Sequence, residues 1–282
     1  MKARMNLSTI IAIVFLLAIA ILVVVVPLLP IYEPYKQNLA AGLTMPFSSS
    51  FDGTFYILGT DTLGRDMLSR LALAGLVSLG IGLGAVLISL FVGVGLGLIA
   101  GFYRGWTESL IMGIADLQLS VPRVLLLIAV TAIVGPSVFN LMLLLGLTSW
   151  VAYGRVARAM ALSLREREFV LSATTQGATS SWNIRKHLLP NVLPQMLIVG
   201  SYELGQVIVL ESSLSYLGLG VQPPLPSWGM MVSEGQTYLE LDPWLFVLPS
   251  LALFLLVAGV QFLSQAFTAE NDTSAEIVKA KT

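Results

Sequence analysis

Uninterrupted apolar stretches long enough to cross a bilayer constrain this chain more than any other feature of its sequence. Residues 7–32 contain no charged side chain, and comparable runs recur as far as residue 267. A helix rises about 1.5 Å per residue, so roughly 20 apolar residues span the hydrocarbon core. By that rule six spans are predicted, over 10–29, 76–102, 110–133, 138–160, 192–214 and 244–267. The division between the third and fourth falls at Gly135-Pro136, a turn pair inside an otherwise uncharged run. Composition agrees: 11% of the 282 residues are charged, against roughly 25% in soluble domains. The expected fold class is therefore all-α, a polytopic membrane protein with six transmembrane helices.

The first run follows Lys2 and Arg4 and has the flanks of a secretion signal. It is too long for one, because a signal's apolar core is about 7–15 residues, and it has no clear small-residue cleavage site. It reads as a retained first helix, with Pro27 and Pro30 marking its far end. The chain has no cysteine, so disulfides and thiolate metal sites are excluded, and a net charge of -1 gives no reason to expect nucleic acid as a partner.

Orientation follows from basic residues, which concentrate on the cytoplasmic side. With the amino terminus inside, the inner segments and helix ends hold Lys2, Arg4, Arg104, Arg155, Arg158, Arg165, Arg167, Arg185, Lys186, Lys279 and Lys281. The outer segments hold only Lys36, Arg65 and Arg70, and Arg123 falls inside the third span. Both termini and the 165–190 loop are thus expected in the cytoplasm, with 33–70 and 215–243 outside.

Ionisable groups inside a bilayer cost roughly 2.5–3.5 kcal/mol each, so each calls for a reason. Asp116 and Arg123 are seven residues apart, which returns them to nearly the same helix face. They either bond neighbouring helices or line a wet path. Glu203 and Glu211, eight apart in the fifth span, either face a cavity through which a substrate's ammonium group passes or, for Glu211, sit hydrated near the outer surface. The second span carries Gly80, Gly84, Gly93, Gly97 and Gly101, small residues that permit close helix packing. No G-x-x-x-x-G-K-[ST] phosphate cradle occurs, so any driving nucleotide must sit on a partner.

Between the fourth and fifth spans lies a polar island, 165–190, reading REREFVLSATTQGATSSWNIRKHLLP. It contains four basic side chains, two acids and the chain's one histidine, His187. A short helix is predicted over 165–175 with Phe169, Val170 and Ala173 on one side, ended by Gly177. Ser180 or Ser181 is expected to cap a second segment, and Pro190 and Pro194 fall near the start of the fifth span. An amphipathic interfacial helix is the bland alternative. His187, without cysteine or a second histidine, is expected to be structural rather than a metal ligand.

At these residues the chain resembles the permease subunits of ABC importers, specifically the dipeptide, oligopeptide and nickel branch. That family's cytoplasmic loop has the form E-A-A, three residues, G, then about nine residues to H-x-x-P. Here Ala173, Gly177, His187 and Pro190 fall in register, while Leu171 and Ser172 stand at the usual Glu and Ala places and Glu168 keeps an acid nearby. LGTDTLGRDMLSR (58–70) is similar to the branch's outer segment, with Tyr56 and Ile57 where a His-Pro pair is common. ESSLSYLGLGVQPPLPSWG (211–229) is similar almost throughout. Asp116 and Pro122 match the branch's third helix, and Glu108 replaces a common Asp.

The resemblance, covering about 58–267, implies a type I ABC importer permease fold: an N-terminal helix and extracytoplasmic segment (1–70), a five-helix permease domain (71–267) and a polar cytoplasmic tail (268–282) expected to be disordered. It implies an inner-membrane heterodimer with a second homologous permease, two ATPase subunits carrying ATP and Mg, and an extracytoplasmic solute-binding protein. The chain itself would hold no cofactor and perform no catalysis. Glu168, Ser172, Ala173, Gly177, Ala178, His187 and Pro190 would form or brace the coupling helix between the fourth and fifth spans, and Asp116, Glu203 and Glu211 are candidates for the path. Peptides are the favoured cargo by branch; nickel or another small solute, and a self-sufficient secondary transporter, are the alternatives.

Overall fold

Two helices lie against each other with almost no side chain between them, and the rest is arranged around that contact. The computed structural model describes residues 7–51 and 53–279, with side chains as far as residue 266. Helix α2 (Met67–Tyr103) crosses α5 (Val138–Leu164) through the predicted glycine stripe. A Cβ on Gly97 would lie 2.8 Å from the Cβ of Ala157, and one on Gly101 would lie 2.6 Å from that of Ala161. On Gly93 it would run into the Trp150 and Tyr153 region of α5. Ser89 Oγ donates across the same interface to the Gly146 carbonyl at 2.9 Å. Within lipid there is little hydrophobic drive between helices, so close backbone approach and its dispersion contacts hold them together. Gly80, at the other end of the stripe, has nothing within 4 Å of where its Cβ would be.

The remaining elements pack around this pair. Helix α1 (Leu7–Ala20) continues through a π turn (Ile21–Val25) and a 3-10 turn (Val26–Leu28). An extended segment follows, with a two-residue antiparallel ladder, β1 (Ser48–Ser49) against β2 (Phe55–Tyr56). It ends in a charged knot that the 58–70 motif builds. Asp61 accepts from the backbone N–H of Leu63 and of Arg65, both at 2.9 Å, from Arg65 Nε at 2.6 Å and from Arg70 at 2.5 Å. Arg70 also reaches Glu234 at 3.2 Å. Asp66 caps α2, accepting from Ser69 N at 2.7 Å, which is why α2 starts nine residues before its apolar run.

Helix α3 (Gly105–Ser120) and α4 (Arg123–Val134) follow, then α5, two short helices α6 (Glu168–Thr175) and α7 (Ser180–Asn183), a π turn (Ile184–Leu188), α8 (Leu189–Tyr216), α9 (Trp228–Gln236) and α10 (Trp244–Lys279). Trp228, fully buried, donates its indole N–H to the Leu71 carbonyl at 3.0 Å and so fixes α9 beneath the start of α2. Ile19, Val23, Leu71, Trp228, Leu245 and Leu256 form one core between α1, α2, α9 and α10. Val94, Leu98, Tyr153, Ala157, Val170 and Leu188 form another between α2, α5, α6 and the start of α8.

Several expected elements differ. The third span is not one helix: the chain bends by 89° between α3 and α4, because Pro122 forces Val121 into an extended conformation (φ -102, ψ 131). The break at Gly135-Pro136 is present, with Gly135 at φ 88. The fifth span begins earlier than Val192, since helical structure is continuous over Ser180–Tyr216 and carries Pro190 and Pro194 within it. The last helix continues to Lys279, through the tail expected to lack structure. Among the described residues four helices are long and apolar enough to cross a membrane, or five with the bent α3–α4 pair as one span. Helix α5, at 27 residues, has the length for a crossing, about 40 Å, but a more polar face.

The α2–α5 contact generates a test. Gly97→Leu forces a side chain into the α5 backbone and is expected to lower stability by about 1–3 kcal/mol or more, while Gly80→Leu changes it by less than about 0.5 kcal/mol. Thermal unfolding of the two purified variants in detergent separates them; equal midpoints would remove the small-residue interface as the organising contact.

Candidate functional site

Two sets of polar residues stand out, one in the 165–190 loop and one inside the helical bundle. The loop begins where Arg165 closes α5, donating to the Phe102 carbonyl at 2.5 Å. Helix α6 then starts at Glu168, whose charge suits the positive end of a helix. Of the three residues expected on its inner side only Val170 is buried, 2% exposed. Phe169 and Leu171 are exposed, and Ala173 is intermediate. The helix ends in a Schellman motif: Ala178 N–H donates to the Ala173 carbonyl and Gly177 N–H to that of Thr174, both at 3.0 Å. Gly177 holds φ +90, which a glycine adopts without strain.

Thr179, not Ser180 or Ser181, caps the next helix, accepting from Trp182 N at 3.3 Å. His187 lies between Phe169 and Trp182, with ring centroids 5.4 Å and 5.0 Å away. It pins the first short helix to the base of the second. Asn183 Nδ2 adds a bond to Thr174 at 3.0 Å. The outer side of this hairpin is a shallow hollow of about 440 Å³ lined by Ala173, Gln176, Gly177, Ala178, Thr179 and Trp182. Glu168, Ser172 and Pro190 are exposed nearby. The structure therefore brings Ala173, Gly177 and Ala178 onto one small-residue surface, with His187 bracing it from within.

Inside the bundle the expected pairings change. Asp116 and Arg123 share no helix face, because the α3–α4 bend lies between them. Asp116 instead pairs with Arg155 of α5 at 2.6 Å, and one helical stretch away Glu108 pairs with Arg158 at 2.6 Å. Arg123, the first residue of α4, reaches into the bundle. It donates to Ser149, lies 3.4 Å from Thr148 Oγ1 and 3.5 Å from the Leu145 carbonyl, and faces Glu203 at 3.9 Å. Glu203 Oε2 and the hydroxyl of Tyr153 are buried without a hydrogen-bond partner among the described residues.

Glu211 is neither hydrated near the surface nor beside Glu203. It is fully buried and accepts from Ser215 at 2.8 Å and from Ser212 at 3.2 Å. Sequence reading alone does not single out Glu108, Tyr153, Arg155 and Arg158 as polar groups that meet partners on other helices or lie buried among them. Arg155 and Arg158 read there as helix-end charges, whereas α5 continues beyond them to Leu164. Their spacing of three, opposite acids spaced by eight, was the available signal.

The profile of the family described as binding-protein-dependent transport system inner membrane component matches residues 93–270. The chain is 37% identical over 206 residues to a glutathione transport system permease protein, GsiD, of Pectobacterium atrosepticum, covering 73% of this chain and 68% of that one. It is 32% identical to a dipeptide transport system permease protein, DppC, of Alkalihalophilus pseudofirmus, covering 93% and 84%. It is also 32% identical to an oligopeptide transport system permease protein, OppC, of Haemophilus influenzae, covering 89% and 81%. Among solved structures, an inward-facing conformation of the MetNI methionine ABC transporter matches with a TM-score of 0.58 at 18% identity, covering 77% of this chain and 98% of that one. That likeness is one of fold.

The Arg123–Glu203 pair is testable by a double-mutant cycle. Arg123→Gln leaves a carboxylate buried without its cation and is expected to cost up to about 3–5 kcal/mol. Adding Glu203→Gln to it should recover part of that loss in thermal unfolding of the purified chain. Strictly additive effects would show that the pair contributes nothing across its 3.9 Å.

Proposed function

The chain belongs to the family of binding-protein-dependent transport system inner membrane components, and on that footing we propose that it is one of two permease subunits of an ATP-driven importer of peptides. Its partners are a second homologous permease, two ATPase subunits that carry ATP and Mg, and an extracytoplasmic binding protein that delivers the cargo. Both termini and the 165–190 loop lie in the cytoplasm of an inner-membrane assembly. Relatives named for glutathione, dipeptide and oligopeptide transport support a peptide cargo.

One observation carries the mechanism: the helix that begins at Ser180, directly after the small-residue hollow, is continuous into the membrane as far as Tyr216. Helix α6 and the Gly177 turn are the coupling element, seated in a groove of an ATPase. Glu168 and Ser172 contact its rim, Ala173, Gly177 and Ala178 allow close approach, and His187 with Pro190 hold the hairpin to the base of the rod. Displacement of a stiff hairpin moves the rod attached to it, so closure of the ATPases biases the permease between inward-open and outward-open states. On α8 the rod carries Glu203 against Arg123, which ties it to α4 and α5. Glu203 and Asp116 lie on the path, whereas Glu211, enclosed by serines, serves the packing of α8.

Deleting residues 171–177 is expected to abolish ATP-dependent uptake in proteoliposomes holding the full assembly while leaving membrane insertion intact. Uptake that persists in the deletion would contradict the coupling role. Transport by the purified chain alone, without ATPases, would point instead to a secondary transporter.

A further inference from the structure

Helices α3 and α5 enclose a cleft of about 500 Å³ lined by Glu108, Ser109, Met112, Asp116, Arg155 and Arg158. Its charges form a ladder of two ion pairs, Glu108 with Arg158 and Asp116 with Arg155. The Asp116 and Arg155 side chains are 67% and 51% exposed. Asp116 lies twelve residues beyond Arg104 and Arg155 ten before Arg165, or about 18 Å and 15 Å along their helices from the end that carries the polar loop. At that distance from the polar-loop end, half-exposed charges are costly against acyl chains and call for water or polar groups on their open side. One oxygen of Asp116 is taken by Arg155, and among the described residues the other has no hydrogen-bond partner, so the pair keeps capacity on its open side. The ladder also balances its signs, two acids against two guanidinium groups.

We propose that this cleft is a water-filled wall of the translocation path and that it takes the charged ends of a zwitterionic peptide, the ammonium group at Asp116 and Glu108 and the carboxylate at Arg155 and Arg158. The ligand class rests on the peptide-importer reading above; the wet wall does not. A balanced ladder suits a cargo of no net charge, since either end finds a counter-charge and neither is held by an uncompensated one.

The test uses the complete assembly in proteoliposomes. The chain has no cysteine, so Ser109→Cys, Met112→Cys and, as a lipid-facing control, Phe91→Cys, a residue 75% exposed on α2, each introduce one thiol. Anionic and cationic methanethiosulfonates are expected to label positions 109 and 112 and to spare 91. In the Met112→Cys background, D116N should speed the anionic reagent and slow the cationic one by about threefold each, as for one unit charge roughly 6 Å away in water. R155Q should do the reverse, and the D116N/R155Q pair should restore the wild-type ratio. Uptake of Glu-Ala relative to Lys-Ala, with one binding protein throughout, should follow the same signs. A ratio is unaffected by how much variant protein reaches the membrane. Unlabelled thiols at 109 and 112 would overturn the wet wall. Labelling with both peptides slowed equally in D116N and in R155Q would reduce the ladder to a structural brace and overturn the cargo site. A wild-type assembly that labels as expected yet imports no peptide would uphold the wall and overturn the peptide reading together with the proposed ligand.

Discussion

The close approach of α2 and α5 is the contact on which the other placements depend. Gly93, Gly97 and Gly101 on one helix meet Gly154, Ala157 and Ala161 on the other, leaving room for backbone against backbone. With only small side chains at these positions, α5 is held close to α2 along the stripe, and in that position Ser149, Arg155 and Arg158 meet Arg123, Asp116 and Glu108. A bulky residue in the seam would rotate or displace α5 and carry those groups away from Arg123, Asp116 and Glu108. Packing that contains no charge thus sets the position of the α5 arginines relative to their partners.

How those charges are accommodated varies with depth and exposure. Glu211 is enclosed and satisfied by serines of its own helix. Arg123 is satisfied mainly by α5, through Ser149, Thr148 and the Leu145 carbonyl, and stands at 3.9 Å from Glu203 without a hydrogen bond to it. The α3–α5 ladder is paired but open on one side. A buried carboxylate with an unpartnered oxygen, Glu203, beside an unpartnered Tyr153 hydroxyl is the kind of arrangement in which a small shift of α8 changes the set of partners. The two carboxylates of α8 thus differ: Glu211 is enclosed and paired, whereas Glu203 is buried with one oxygen unpartnered among the described residues.

The rod itself departs from an ideal helix. It passes a π turn at Ile184–Leu188 and contains Pro194, features that leave backbone groups to be satisfied locally. Leu188, Val192 and Met196, all nearly fully buried, pack it against α2 and α5 through this stretch. The hairpin below is stiffened by the His187 ring between Phe169 and Trp182 and by the Gly177 turn. Ring contacts thus hold the hairpin, and packing against α2 and α5 holds the start of α8.

Much of this was legible in the residues alone. Apolar run length located the long hydrophobic segments but not their number: six spans were expected, and among the described residues four helices, or five with the bent α3–α4 pair, are long and apolar enough to cross a membrane. The Gly135-Pro136 pair marked a real break, and the spacing from Phe169 to Gly177 predicted a short helix with a glycine stop. These are local properties, set within a few residues by desolvation, sterics and backbone freedom. The 89° bend at Pro122 was written in the sequence as a proline but hidden by apolar residues on both sides, which read as one span. What the sequence could not decide was which charge meets which. Asp116 answers to Arg155 rather than Arg123 because its partner comes from a helix 39 residues away, and Glu211 is enclosed rather than hydrated because the packing of other elements covers α8 there. Periodicity places a side chain on a face; the packing of a second helix determines what that face touches.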